Sequence, residues 1–313
     1  MRHQRKPRST PPGEHRPVLL QEILQALDPK PGMVIVDCTV GWAGHSAELL
    51  ARIGPTGMLV GFDLDAENLP KARERLEAVG HPFQLHHSNF AGLQQILGSH
   101  GITHVDALLA DLGMSSMQVD DPQRGFSYSR DGTLDMRMDR TRGRTAAELL
   151  AAIPEAELIQ ALRELGDEPH PELIVAGIAR ARVEKPIATT KELVQIIQQA
   201  TDQQSWRLKP TPGKWELHPA ARTFQALRIL VNRELANLTH LLRVIPQCLQ
   251  PNATAALISF HSGEDRLVKS SFRAGQENGI YQTISTDPCR ATWSERQNNP
   301  RSRSAKLRWA KRG

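Results

Sequence analysis

The chain has 313 residues, enough for one large domain or two smaller ones with a sizeable core, which excludes a small scaffold dependent on disulfides or metal. Lys and Arg number 39 against 34 Asp and Glu, a net charge of +5, yet residues 1–17 carry +4 and residues 289–313 carry +7, leaving −6 on the residues between. No run of 18 apolar residues occurs and the first 17 residues lack an apolar leader, so nothing points to a membrane span or a secretory signal and a cytoplasmic protein is expected.

Residues 1–17, rich in Pro, Arg and Ser/Thr and without apolar periodicity, read as a disordered basic tail. Residues 18–27 (VLLQEILQAL) predict a short amphipathic helix that Pro29, Pro31 and Gly32 end. From residue 33 the pattern changes. Apolar runs at 33–39, 58–65, 83–88 and 105–113 predict strands, and the stretches 44–53, 66–79 and 90–99 between them predict helices. Such alternation implies βαβ units and a parallel sheet covered on both faces.

Between about 120 and 215 the strand signals stop. Thr145 with Glu148 and Thr189 with Glu192 have capping-box spacing, and 154–165 and 172–183 also read as helices. The sheet pattern then resumes with a long helix at 220–244, a strand at 253–260, a helix at 263–274 and strands at 281–286 and 305–312. This order makes 120–215 an all-helical insertion into one α/β domain formed by 18–119 and 216–313, a doubly wound, mostly parallel sheet of seven strands. Cys38, Cys248 and Cys289 lie far apart without CxxC spacing, so they announce neither a disulfide framework nor a metal site, and no metal is expected.

Open parallel sheets bind ligands beyond the carboxyl ends of their strands. Here the first strand ends in Asp37 and runs through Gly41-Trp42-Ala43-Gly44-His45, the second ends in Asp63-Leu64-Asp65, the third in Asn89-Phe90, and the fourth in Asp111-Leu112-Gly113. The glycine spacing departs from the dinucleotide fingerprint G-x-G-x-x-G, and no Gly-Lys-Ser/Thr follows, so a pyrophosphate cradle is disfavoured. A carboxylate at Asp63 suits ribose hydroxyls, a role that nicotinamide and S-adenosylmethionine sites share. Carboxylates at Asp37 and Asp111 favour a ligand with an ammonium and a sulfonium and would repel a diphosphate.

The same stretches, with Asp111-Leu112-Gly113-Met114-Ser115-Ser116-Met117-Gln118-Val119-Asp120-Asp121, Arg124-Gly125-Phe126-Ser127, Leu134-Asp135-Met136-Arg137-Met138-Asp139, Arg222-Thr223-Phe224-Gln225-Ala226-Leu227-Arg228, Ile258-Ser259-Phe260-His261-Ser262 and Asn299-Pro300-Arg301-Ser302-Arg303-Ser304, resemble the ribosomal RNA small-subunit methyltransferase H family. The resemblance implies a class I S-adenosylmethionine-dependent enzyme that methylates N4 of a cytidine in the decoding centre (P site) of 16S rRNA, with the small ribosomal subunit as partner and the helical insertion as the RNA-recognition domain. It implies cofactor contacts at Ala43, Gly44, His45, Asp63, Phe90, Asp111 and Gln118. Three positions depart from the family pattern: Ala43 and Gly263 replace the usual Gly and Leu, and Gly177 replaces an Arg.

A cytosine amine is a poor nucleophile, because its lone pair is delocalised, and a hydrogen-bond acceptor on one N–H would localise it. Candidates are Asp111 or a backbone carbonyl at 111–113, with Ser115 and Ser116 shaping the base pocket and His261, just after the fifth strand, contacting base or phosphate or serving as a structural residue. A paired or stacked cytidine must be extruded to reach such a pocket. Arg124, Arg130, Arg137, Arg140, Arg142 and Arg144, interspersed with Asp131, Asp135 and Asp139, form either an RNA-docking loop or an internally paired one. Two other functions compete: a nicotinamide-dependent oxidoreductase on a related sheet, and an rRNA-binding assembly factor without turnover.

Overall fold

A computed structural model describes residues 16–201 and 218–313, leaving out the side chain of Ser116; the expected tail therefore lies almost wholly outside the described residues. Seven strands form one sheet in the order β3-β2-β1-β4-β5-β7-β6: β1 (Val34–Asp37), β2 (Met58–Asp63), β3 (Phe83–His87), β4 (Val105–Asp111), β5 (Leu249–Ser259), β6 (Tyr281–Ile284) and β7 (Lys306–Arg312). The pairs among β1 to β5 are parallel, and β7 pairs antiparallel with β5 and β6. This is the doubly wound, mostly parallel α/β architecture read from the sequence.

The two faces follow from the period of two along each strand. Val36, Val60, Phe62, Leu108, Ala110, Ala255 and Leu257 belong to one apolar cluster, and Ile35, Leu59, Ala107, Leu109, Ala256 and Ile258 to the other. On the first face lie α4 (Leu93–Ser99), α11 (Glu234–Cys248) and α12 (Ser262–Glu277), through Leu93, Leu241 and Phe272. On the second lie α1 (Leu20–Leu27), α2 (Gly44–Ile53) and α3 (Leu69–Glu77), through Ile23, Leu50 and Leu76. Each such side chain, taken fully out of water, stabilises by about 1.5–3 kcal/mol. Among the described residues no helix is long and apolar enough to cross a membrane.

The chain divides into two compact units, one comprising residues up to Gly113 with Leu235–Gly313, the other Met114–Glu234. The second contains α5 (Ser116–Asp120), α6 (Ala146–Ala152), α7 (Glu155–Gly166), α8 (Pro171–Glu184), α9 (Thr190–Ala200) and α10 (Ala220–Asn232); a short α13 (Trp293–Asn298) belongs to the first. Thr145 and Thr189 start α6 and α9 with the reciprocal hydrogen bonds of a capping box, to Glu148 and Glu192. Gly177 on α8 lies where a Cβ would sit 3.2 Å from both Ala200 and Ile196, so its missing side chain lets α8 and α9 approach closely.

The division falls at 113/114 and 234/235, whereas composition placed it at 119/120 and 215/216. The long helix expected at 220–244 is two helices, and α10 joins the helical core through Phe224 and Leu227. Asn232 ends it: its side-chain oxygen accepts the Met138 N–H at 2.7 Å while its amide donates to the Met136 carbonyl at 2.8 Å. Arg233 then takes a left-handed conformation, φ 52°. A residue with a Cβ is strained there by roughly 1–2 kcal/mol, part of which glycine's backbone entropy would offset. Arg233→Gly is therefore expected to raise the unfolding free energy by about 0.5–1 kcal/mol, and denaturant titration of the two proteins measures it.

Candidate functional site

The turn after β1 is built on buried carboxylates. Asp37 accepts the Thr39 N–H at 3.0 Å on one oxygen and the Ser46 hydroxyl at 2.6 Å on the other. Burial pushes its pKa up, and the Ser46 hydrogen bond opposes that shift. Thr39 extends the network, because its hydroxyl accepts the Asp111 N–H at 2.6 Å and so ties the ends of β1 and β4 together. Asp37 is 1% exposed and both its oxygens are bonded within the fold, so it positions the turn instead of facing a ligand.

Asp63 holds the turn from the other side. It accepts the Gly41 N–H at 2.6 Å on Oδ2, and the Asp65 N–H at 2.8 Å and the Asn68 amide at 3.2 Å on Oδ1. A carboxylate has about four acceptor positions, so one on Oδ2 is left for a ligand. Burial raises the Asp63 pKa to about 6, against the pull of these hydrogen bonds. Asp65 caps the next turn, accepting from the Glu67 N–H at 3.1 Å. Gly61 lies beneath: a Cβ there would come within 2.5 Å of Val40, so the turn rests directly on the β2 backbone. Lys71 Nζ stands 3.9 Å from the centre of the Trp42 ring, a cation–π contact on the same turn.

Ala43 is left-handed, φ 57° and ψ 34°, and offers no side-chain acceptor, so α2 begins without a cap at Gly44 and His45. The N–H groups of a first helical turn have no intrahelical partners and carry the positive end of the helix dipole. His45 is buried, with Nε2 2.8 Å from the Val18 carbonyl and Nδ1 3.8 Å from Asp111 Oδ2. Asp111 Oδ1 accepts the Gly113 N–H at 3.0 Å. Its pKa is raised by burial, with His45 opposing and Asp37 and Glu264 adding to the rise. Gly113 packs so closely that a Cβ would lie 2.7 Å from the Phe260 ring. Phe90 heads a 3-10 turn after β3, half-buried, with its inner side on the core.

An uncapped helix start beside a carboxylate oxygen with spare acceptor capacity suits a zwitterion: carboxylate to the N–H groups, ammonium to Asp111. These residues fit the amino-acid end of S-adenosylmethionine, and Asp63 has room for a ribose hydroxyl.

His261, at the end of β5, is the N-cap of α12. Its Nδ1 accepts the Glu264 N–H at 3.4 Å, while the Glu264 carboxylate accepts the Phe260 N–H at 2.8 Å. Nε2 lies 3.1 Å from Glu264 Oε1, outside hydrogen-bonding geometry. The side chain is 8% exposed, and a Cβ at Gly263 would lie 3.2 Å from its ring, close enough that the ring or the helix start would have to give. Thr39, Ser46 and Glu264, to which the sequence assigned no role, form the frame. Glu264 alone announced itself, three residues after His261 as in a capping box.

Ser115, Ser116 and Gln118 belong to the second unit. Ser115 caps α5, accepting the Gln118 N–H at 3.3 Å, and the Gln118 side chain returns by accepting the Ser115 N–H at 3.0 Å. The side chain of Ser116 lies outside the described ones. In the Arg-dense stretch of this unit the internally paired reading holds for the arginines from 124 to 142, while Arg144 is exposed. Arg124 is 1% exposed and donates to the Arg137 and Met138 carbonyls; Arg137 binds Asp135 bidentately; Arg130 pairs with Asp120, and Arg142 with Asp139 at 2.6 Å. Arg137 and Arg140 hold Asp135 below the usual carboxylate range although burial pushes the other way.

A family model described as the MraW methylase family matches residues 13–313. Proteins named ribosomal RNA small subunit methyltransferase H align along nearly the whole chain. That of Geobacter sp. (strain M21) is 44% identical over 309 residues, 94% of this chain and 97% of its own. Those of Citrifermentans bemidjiense, 43% over 309 residues, and Pelobacter propionicus, 42% over 312, also span 94% of this chain and 97% of theirs.

Thr39→Val keeps the side-chain shape but leaves the Asp111 N–H without its acceptor. A loss of about 1–3 kcal/mol in unfolding free energy is expected by denaturant titration. An unchanged value would mean that the β1–β4 tie does not depend on this hydroxyl.

Proposed function

The chain belongs to the MraW methylase family, and from that premise we propose that it is an S-adenosylmethionine-dependent methyltransferase acting on N4 of a cytidine in the decoding centre (P site) of 16S rRNA, in the cytoplasm. The observation that carries this reading is the uncapped start of α2 at Gly44 and His45 set against Asp111 Oδ2. Gly44 and His45 bind the cofactor's carboxylate through backbone N–H groups, Asp111 its ammonium, Asp63 its ribose, and Phe90 the adenine face; Gln118 is assigned to the same ligand. When bound, S-adenosylmethionine supplies a methyl group made electrophilic by the adjacent sulfonium.

Asp111 has one oxygen bonded to Gly113, and the other, 3.8 Å from His45 Nδ1, is assigned to the ammonium. The acceptor for N4–H is assigned to a backbone carbonyl of Leu112 or Gly113. The protein's contribution is alignment: the β1–β4 tie through Thr39 fixes Asp111, and Gly113 against Phe260 fixes the carbonyls. Ser115 and Ser116 are assigned to the target base, His261 to positioning the start of α12, and the unit Met114–Glu234 to RNA recognition. The relatives' name supports the rRNA substrate.

Transfer of a radiolabelled methyl group to small subunits lacking the modification, with the product nucleotide mapped by mass spectrometry, tests the assignment. Label on N4 of a P-site cytidine is expected. Absence of label, with S-adenosylhomocysteine binding intact, would instead support an assembly factor without turnover. Asp111→Ala is expected to weaken S-adenosylhomocysteine binding at least ten-fold and to recover a near-normal single-turnover rate at saturating cofactor. Normal binding with a collapsed rate would make the carboxylate the proton acceptor.

The raised pKa of Asp63 gives a pH dependence with two signs. The folded carboxyl binds a proton more tightly than the unfolded one, so its burial costs stability above about pH 6, and this cost disappears as pH falls from 6 toward 3.8. Ribose hydroxyls need an ionised acceptor, so cofactor affinity is expected to fall up to ten-fold per unit below about pH 6, measurable by calorimetry with S-adenosylhomocysteine.

A further inference from the structure

Trp293, the first residue of α13, is 72% exposed in a chain whose aromatic content is 4%. Tryptophan is highly buried on average, so an indole left this open needs an account. The helix it begins is firmly attached on its other side. Glu295 accepts the Leu19 N–H at 2.8 Å, and Asn299, buried, donates to the Arg16 carbonyl at 3.2 Å. Ala291 and Ser302 are buried at either end, and Thr292 caps the helix, accepting the Glu295 N–H at 3.2 Å. With positions 295 and 299 turned inward, residues 293, 296 and 297 share the outer face.

That face is basic. Arg290, Arg296 and Arg303 are exposed, and Arg303 donates to the Arg296 carbonyl at 3.3 Å, which places these two side by side. Among the described residues Arg290 and Arg296 form no ion pair, unlike the arginines between 124 and 142, which bind their own aspartates or loop carbonyls. Within residues 287–304 the acids are Asp287 and Glu295, and Glu295 is spent on Leu19. The Asn299 bond to Arg16 also fastens α13 to residue 16, itself an arginine.

We infer that the outer face of α13 is a contact surface for an unpaired segment of RNA, with Trp293 stacking on a base and Arg290, Arg296 and Arg303 meeting the flanking phosphates. An open indole among guanidiniums is the chemistry that binds single-stranded nucleic acid without reading its sequence, since every base has a face to stack and every linkage a charge to neutralise. The inference rests on the proposed RNA substrate and adds to it a surface made of residues other than those assigned to the cofactor.

The test uses the full chain with Trp293→Ala, Trp293→Phe and the double variant Arg290→Ala/Arg296→Ala. Filter binding to naked 16S rRNA is measured across a salt series, alongside S-adenosylhomocysteine affinity and kcat on small subunits at saturation. Trp293→Ala is expected to weaken RNA binding about ten-fold, the effect of losing one base stack, and Trp293→Phe to restore most of it. The double variant is expected to weaken binding and to flatten the slope of log K against log salt by about 1.4, from about 0.7 per phosphate on a single strand. Cofactor affinity and kcat should stay within two-fold in all variants. RNA affinity and salt slope unchanged in both alanine variants would overturn the inference. So would a defect confined to particles and absent with naked RNA, which would make the face a protein contact, or a matching loss of cofactor affinity, which would make Trp293 structural. Failure of the wild type to methylate RNA would be a failure of the functional reading itself and shows separately.

Discussion

One buried carboxylate organises the cofactor end of the sheet. Asp37 takes the Thr39 backbone on one oxygen and the Ser46 hydroxyl on the other, so the end of β1 and the first turn of α2 are fixed to the same group. Thr39 passes the constraint to β4 by receiving the Asp111 N–H, and Asp63 closes the turn from β2 through Gly41. A charge so deeply buried is costly unless its lone pairs are filled, and here the filling groups are the ones that set the geometry. The open acceptor positions of Asp63 and Asp111 are therefore held by neighbours that cannot move independently.

Much of this was legible from residue order. Apolar runs closed by Asp, at 37, 63 and 111, marked both the strands and the end of the sheet where ligands bind, because burial on two faces leaves polar residues only at strand ends. Thr145 and Thr189 announced α6 and α9, since a capping box is local and its spacing is visible. What stayed hidden depended on distant partners. Apolar spacing runs unbroken past Asn232, and the bonds that stop α10 there reach residues 136 and 138. Three carboxylates at strand ends look alike in sequence, yet Asp37 is sealed at 1% exposed while the Asp111 side chain is 20% exposed. His261 carries a chemistry-bearing ring, and its neighbour Glu264 turns it into a helix cap.

Charge shows the same division between local and distant. The density of arginine between 124 and 144 suggested a docking loop, but interleaved aspartates at 135 and 139 engage Arg137, Arg140 and Arg142 where they stand. At α13 the nearby acid points inward to Leu19, and the positive face is left to solvent. Composition cannot distinguish these cases, because what matters is where each carboxylate is engaged.

The helical unit is one continuous segment, whereas the sheet is built from chain on both sides of it. During synthesis β4 emerges with one edge paired to β1 and the other waiting for β5, whose first residue lies 138 positions beyond Asp111. At about 5–20 residues per second that edge waits on the order of ten seconds, while the intervening helices, rich in local contacts, have time to fold first. Leu108 and Leu109 face opposite sheet surfaces in this interval, so the half-made sheet presents apolar area on both sides and a bare row of backbone groups along one edge. The order of emergence thus makes the nascent chain, rather than the finished protein, the form most exposed to aggregation.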